Sequence, residues 1–253
     1  MKNVLLSAKG ISKSFATNGV QNHVLTDVSL DLYQDDFTII MGPSGSGKST
    51  LMYCLSGMNH TTAGQVIYQG KDIQQLKEKN MATLRAREFG YVFQQIHLVS
   101  NLTLYENVTV AGYLKKEKSA QDVRKRADEL FEKVSLKEAK NRLPSQVSGG
   151  EGQRAAIVRA VINEPGLLFA DEPTGALNRH NAEDVLDLMT DLNRNGQSIL
   201  MVTHDVRCAV RGTRLLYIED GNIRGELELG VYEKKEAKSR ETQINAWLSS
   251  MEW

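Results

Sequence analysis

The chain has 253 residues, enough for a substantial core and for one large domain or two intimate ones. Its 41% apolar and 25% charged residues are ordinary for a globular protein, and 31 lysines and arginines face 31 aspartates and glutamates. That balance excludes the broad basic field by which nucleic-acid binders attract phosphate backbones, so no nucleic-acid partner is expected. Cys54 and Cys208 lie far apart and fit a reduced chain better than a disulfide framework or a metal site. The opening MKNVLLSAKGISKSF lacks the apolar region and small-residue cleavage site of a secretory signal. No apolar run approaches the ~20 residues needed to cross a bilayer, so work at a membrane would need spanning segments from another chain.

The segments VLLSAKGISKSF, VLTDVSLDLY and FTIIMG predict three strands. The second alternates with period two, and the third is nearly all apolar, as in a strand buried on both faces of a parallel sheet. From Lys48, KSTLMYCLSGM predicts a helix ending near Gly57. VIYQGKDI predicts a strand and turn, and EFGYVFQQ a short strand running into polar residues. Residues 103–142 predict mainly helix, with Val123, Ala127, Leu130, Phe131 and Val134 at helical spacing. The basic cluster at 124–133 reads as a solvated helix face, with contact to a membrane surface or a partner as the alternative. Another helix follows Ser148-Gly149-Gly150. GLLFADEP and SILMVTH predict buried strands, separated by the helix NAEDVLDLMTDLNRNG. LLYIEDGNI predicts a hairpin turning at Asp220-Gly221. In the tail, Ile244, Trp247, Leu248 and Met251 make one apolar helical face, which can cover its own domain, a second copy or a membrane partner. Strands alternating with helices predict an α/β fold with a parallel sheet. The early antiparallel strands and the charged helical block at about 95–160 are additions to it.

The strongest chemical signal is GPSGSGKST: Gly42, Pro43, Ser44, Gly45, Ser46, Gly47, Lys48, Ser49 and Thr50. It follows an apolar strand and opens a helix, the context that makes G-x-x-x-x-G-K-[ST] a phosphate loop. Its glycines let backbone N–H groups wrap phosphate oxygens, Lys48 reaches the β/γ phosphates, and the Ser49 hydroxyl can ligate Mg²⁺. Such a loop needs a metal carboxylate and a group to handle water. LLFADEP delivers both at a strand's carboxyl end, Asp171 for Mg²⁺ and Glu172 as general base. His204, ending SILMVTH, is read as a hydrogen-bond sensor of the γ-phosphate. Gln94, after YVF, is read as an amide that contacts Mg²⁺ or water. Ser148, Gly149 and Gly150 offer free N–H groups at a helix N-terminus, a second phosphate site in one chain.

In this order, over about residues 4–225, these pieces resemble the ATP-binding subunit of ABC transporters. The resemblance implies a P-loop NTPase core with a parallel sheet, an antiparallel β-subdomain and a helical subdomain carrying the signature motif. It implies an ATPase domain over 1–232, with the helical subdomain at about 95–160, and a tail over 233–253. ATP and Mg²⁺ are the implied cofactors. The implied partners are a transmembrane permease and a second copy, joined head to tail around two ATP molecules on the cytoplasmic face of the membrane. In that sandwich Ser148, Gly149 and Gly150 cap the nucleotide held at Lys48 of the second copy. The segment from Gln94 to about residue 115 would meet the permease. Phe15 matches the family's adenine-stacking aromatic. Asn178 stands where the D-loop normally ends in Asp, and keeps size and hydrogen bonding but loses charge, so altered coupling or turnover with retained ATP binding is expected. The signature reads VSGGE, with Glu151 in place of the usual Gln. FADEPTGALN resembles the subgroup serving macrolide export, lipoprotein release and antimicrobial-peptide resistance, and the tail resembles the bacitracin-resistance type. The alternative from another class is a soluble, permease-free ABC ATPase. The chain carries neither the coiled-coil insertion nor the second cassette common in those.

Overall fold

A computed structural model describes residues 2–17, 20–115 and 117–251. They form two compact units, residues 1–81 with 193–253, and residues 82–192.

In the first unit, strand β1 (Val4–Thr17) pairs antiparallel with β2 (Val20–Tyr33) on one side and with β4 (Ala63–Tyr68) on the other. β5 (Lys71–Asp72) extends this antiparallel sheet. β2 begins earlier than its alternation indicates, and the alternation is interrupted at Asp27, whose φ is +53°. The register slips there from Lys13↔Leu25 to Ile11↔Val28, so Leu25 and Val28, three residues apart, are both buried. A bulge of this kind is what lets a strand keep one apolar face through an irregular count.

The second sheet of this unit is built on β3 (Phe37–Met41), buried at every residue, Thr38 included, as its nearly all-apolar sequence predicts. β3 runs parallel to β8 (Ser198–Val202) on one side and to β9 (Arg214–Glu219) on the other. β10 (Asn222–Glu228) closes the edge antiparallel to β9. Asp220 (φ +46°) and Gly221 (φ +71°) make the two-residue turn between them, as the Asp-Gly pair predicts. Helix α1 (Lys48–Leu55) follows β3 through the glycine-rich loop.

Helix α2 (Glu78–Glu88) has no counterpart in the sequence reading. Its residues are mostly polar or charged and only Met81 is buried, so no apolar stripe announces it.

In the second unit, β6 (Phe89–Val92) pairs in parallel with β7 (Leu167–Asp171). Around them lie α3 (Leu104–Tyr113), α4 (Ala120–Lys133), α5 (Gly149–Val161) and α6 (Arg179–Arg194). α4 buries Val123, Ala127, Leu130 and Phe131, while Arg124, Lys125 and Lys133 stay exposed and Arg126 is half-buried, paired with Glu164 at 3.0 Å.

β8 leads into the short helix α7 (Val206–Ala209), and the C-terminal helix α8 (Ala237–Ser249) packs on its own unit. Ile244 and Leu248 are buried, Trp247 meets Tyr217 edge to face at 6.4 Å, and Met251 and Trp247 lie over Gly225. Arg240 anchors the helix. Its guanidinium, 5% exposed, donates to the carbonyls of Val210 (3.3 Å), Gly212 (3.1 Å), Leu229 (3.0 Å), Gly230 (3.0 Å) and Val231 (2.5 Å). Such charge-assisted bonds are stronger than neutral ones, and their loss strands buried carbonyls. Arg240→Ala is therefore expected to cost about 3 kcal/mol and to lower the melting temperature by about 6–12 °C in a thermal denaturation scan. Arg240→Lys recovers less than half of that, because a single ammonium cannot serve a fan of carbonyls.

Candidate functional site

The first unit supplies the phosphate loop. Gly47 opens α1 at φ +98°, a backbone conformation that side chains resist, and a Cβ there would lie 3.0 Å from the Val24 carbonyl oxygen. At Gly42 the constraint is space: a Cβ would stand 2.0 Å from the Ile218 carbonyl oxygen, which is β9 backbone. Pro43 is half-buried, Ser44 and Gly45 are exposed, and Ser49 and Thr50 are half-buried at the start of α1. The Gly221 N–H donates to the Ser46 carbonyl at 3.2 Å, so the β9–β10 turn braces the loop from behind.

Within the loop, the Lys48 ammonium is 8% exposed and donates to the carbonyls of Gly42 and Pro43, both at 2.9 Å. The Ser46 hydroxyl is buried and has no hydrogen-bond partner among the described residues. An orphaned donor beside a confined cation suits a phosphate oxygen, which accepts from both.

Two further candidates belong to this unit. Phe15, on β1, is 41% exposed and carries the Lys13 ammonium 4.8 Å from its ring centroid. Lys13 is held there by donating to the His60 carbonyl at 2.7 Å. The ring is thus an exposed aromatic surface with a cation near it. His204 is exposed just past β8. Its neighbour Asp205 turns the chain into α7: the Asp205 carboxylate accepts from the Arg207 N–H at 2.8 Å and pairs with the Arg207 guanidinium at 2.6 Å. Burial pushes the Asp205 carboxyl up, but the hydrogen bonds and charge of Arg207 outweigh it and hold the group below its usual range.

The second unit collects the remaining candidates. β7 ends in Asp171, and Glu172 follows at φ +43°, a left-handed conformation uncommon for a residue with a side chain. The Gly175 N–H donates to the Glu172 carbonyl at 3.0 Å and closes the turn. Both carboxylates are half-buried. Gln94, two residues past β6, is exposed and lies across this turn: a Cβ on Gly175 would come 2.9 Å from the Gln94 Nε2. Gln94 and Glu172, 78 positions apart in the numbering, are therefore neighbours of one turn.

Ser148 is the N-cap of α5. Its Oγ accepts from the Glu151 N–H at 3.2 Å, and its own N–H donates to the Glu151 carboxylate at 2.7 Å. The Ser148 N–H first, and then the Ser148 hydroxyl, hold the Glu151 carboxyl below its usual range by hydrogen bonding to it. Glu151 and Ser148 thus close a reciprocal cap at the N-terminus of α5. Ser148 and Gly149 are exposed, and Gly150 is buried against the start of α6, where a Cβ would stand 2.5 Å from the Asn181 Cγ. Asn178 is exposed, and its Oδ1 accepts from the Asn181 N–H at 3.0 Å, capping α6. An Asp would cap equally well, so this role does not depend on the missing charge.

One residue of this cluster escaped the sequence reading. Gln153, on α5 and 1% exposed, donates from one amide nitrogen to the carbonyls of Phe93 (3.1 Å) and Pro173 (2.8 Å). Its only sequence signal is a polar side chain one turn before Ala156 and Ile157 on a buried stripe.

In the second unit Asp171 and Gln94 offer a carboxylate and an amide oxygen, and in the first Ser49 offers a hydroxyl oxygen, each a donor of the kind Mg²⁺ takes. Among the described residues no group of three or more His, Cys, Asp or Glu is placed to hold a metal. Mg²⁺ commonly takes few protein ligands and completes its shell with phosphates and water.

The profile of the family described as ABC transporter matches residues 25–175, a span holding the phosphate loop, Gln94, the Ser148 motif, Asp171 and Glu172. The macrolide export ATP-binding/permease protein MacB of Wolinella succinogenes is 37% identical over 245 residues, 94% of this chain. The chain spans 37% of that relative's length. Two solved structures of the ATP-binding cassette MJ0796 share 34% identity and a TM-score of 0.83, covering 90% of this chain and 100% of theirs. One is a dimer in a post-hydrolysis state bound to ADP and Pi, the other a dimer of what is named a bacterial ABC transporter cassette. With a phosphate loop braced by a hairpin turn, a strand-end Asp-Glu pair and a serine-capped signature helix, the chain belongs to the ABC transporter family as an ATP-binding and ATP-hydrolysing cassette.

Proposed function

We propose that the chain joins a second copy head to tail around two Mg-ATP and powers a separate membrane permease. Export of antimicrobial peptides or drugs, or resistance to them, is the proposed task. The observation that carries the dimer is the signature face of α5: Ser148 and Gly149 are exposed at the N-terminus of a thirteen-residue helix. A phosphate-recognising helix end of this kind has a use when a second copy presents its nucleotide to it. The dimers solved for the MJ0796 cassette support the same reading.

Each residue then has a task. The 42–50 loop and Lys48 hold the β and γ phosphates, and Phe15 stacks on the adenine. Ser49, Asp171 and Gln94 serve Mg²⁺, which would neutralise phosphate charge. Glu172 takes a proton from the attacking water, and His204 donates to the γ-phosphate. Asn178 sits in the D-loop, and its lack of charge alters coupling between the two nucleotides.

An exposed apolar patch in the second unit supports the permease contact. Val110, Tyr113 and Leu114 recur at i, i+3 and i+4 on and just beyond α3, at 50%, 38% and 61% exposure, with Val99 at 50%. No helix among the described residues is long and apolar enough to cross a membrane. Location on the inner face of the membrane would then come through this patch. In cells that make the chain, wild type should co-purify with an integral membrane protein from detergent-solubilised membranes. Leu114→Asp should lose that association while the purified chain still hydrolyses ATP. Wild type that never associates with membranes would refute the permease reading.

A further inference from the structure

The buried amide of Gln153 joins three parts of the second unit that are distant in sequence. Its Nε2 donates to the Phe93 carbonyl, one residue before Gln94, and to the Pro173 carbonyl, one residue after Glu172. Its backbone belongs to α5, the helix that begins at the Ser148 cap. Its Oε1 is buried and has no partner among the described residues. The amide orientation follows from its surroundings, because the opposite one would set its oxygen against two carbonyl oxygens. An orphaned buried acceptor weakens a fold, and an apolar side chain of similar volume would avoid that cost. What a methionine could not do is donate to two loops at once.

We infer that Gln153 is a positioning residue for hydrolysis, fixing Gln94 and Glu172 relative to each other and to the signature helix. It touches no reacting atom. It clamps the carbonyl on the near side of each residue, so that the Gln94 amide stays across the Glu172 turn. Displacing a catalytic group by about 1 Å can cost 10²-fold in rate, so a clamp at this distance acts on turnover more than on binding. This inference rests on the proposed roles of Gln94 and Glu172.

The test is steady-state ATP hydrolysis by the purified full chain carrying Gln153→Met, with a fluorescent ATP analogue to read nucleotide affinity. The expected result is a kcat lowered about ten- to a hundred-fold, with KM and analogue affinity close to wild type and a melting temperature lowered by only a few degrees, because the Phe93 and Pro173 carbonyls lose their donor. The half-saturating Mg²⁺ concentration should rise. In a Gln94→Ala background the further loss from Gln153→Met should shrink, because residues acting through one another are not additive. Gln153→Asn, which keeps the amide but shortens it, serves if the methionine variant does not fold, and the same criteria apply. A kcat within about twofold of wild type, or kcat and melting temperature falling together with affinity, would overturn the inference. So would failure of both variants to fold, which marks Gln153 as a packing residue. An active Glu172→Gln enzyme would instead strike the role of Glu172, an outcome read separately from the Gln153 variants.

Discussion

Glu172→Gln lowers steady-state ATP hydrolysis by about 10²–10⁴-fold and leaves ATP binding intact, the expected result if this carboxylate takes the proton from water. The substitution is nearly isosteric, so the geometry around it should persist. Residue 172 stays at its positive φ because the Gly175 N–H holds its carbonyl and Gln153 holds the next one. Gln is no worse suited to that backbone than Glu, so the melting temperature should not fall. Unconsumed ATP should keep two copies joined, and the variant should run as a dimer on size exclusion with Mg-ATP and as a monomer without it. Phosphate release by the wild type and the variant is the deciding measurement. Equal rates would remove Glu172 from its role.

Lys48→Ala should weaken nucleotide binding about a hundredfold, the loss of one strong charge-assisted contact to phosphate, or about 2.7 kcal/mol. In the folded chain the ammonium is confined by the Gly42 and Pro43 carbonyls, so it is presented from within the loop rather than from solvent. Removing it also relieves the burial of a charge, so the protein without nucleotide should melt near its usual temperature. The rise in melting temperature that ATP normally brings should be lost. Gly42→Ala makes the contrast. It keeps the charge but drives a methyl group into the Ile218 carbonyl at 2.0 Å, so it should lower both binding and the melting temperature without nucleotide. If Lys48→Ala binds ATP as tightly as wild type, the ammonium does not reach the phosphates.

What could be read from the sequence had local causes. The glycines and Lys48 of the phosphate loop lie within nine residues, and strand, loop and helix around them follow from apolar runs and turn chemistry. The hairpin at Asp220-Gly221 and the helix after Ser148 were legible for the same reason, since a turn type or a cap is decided by a few adjacent residues. Helix α2 was not legible because it buries little, and the Asp27 bulge was not because a slipped register is a property of two strands.

By itself, then, the sequence determined the α/β class, the phosphate loop, the carboxylates Asp171 and Glu172 and the family to which they belong. Those depend on short-range order and on residue chemistry. The tertiary structure alone decided that Gln94 lies across the Glu172 turn, that Gly150 packs on the D-loop helix, and that Arg240 ties the tail to its own unit. It also decided that Gln153 clamps two loops at once. Each of these joins groups far apart in the chain, and Arg240 and Gln153 do so through buried polar contacts whose geometry exists only once the backbone carbonyls they serve have been folded into place.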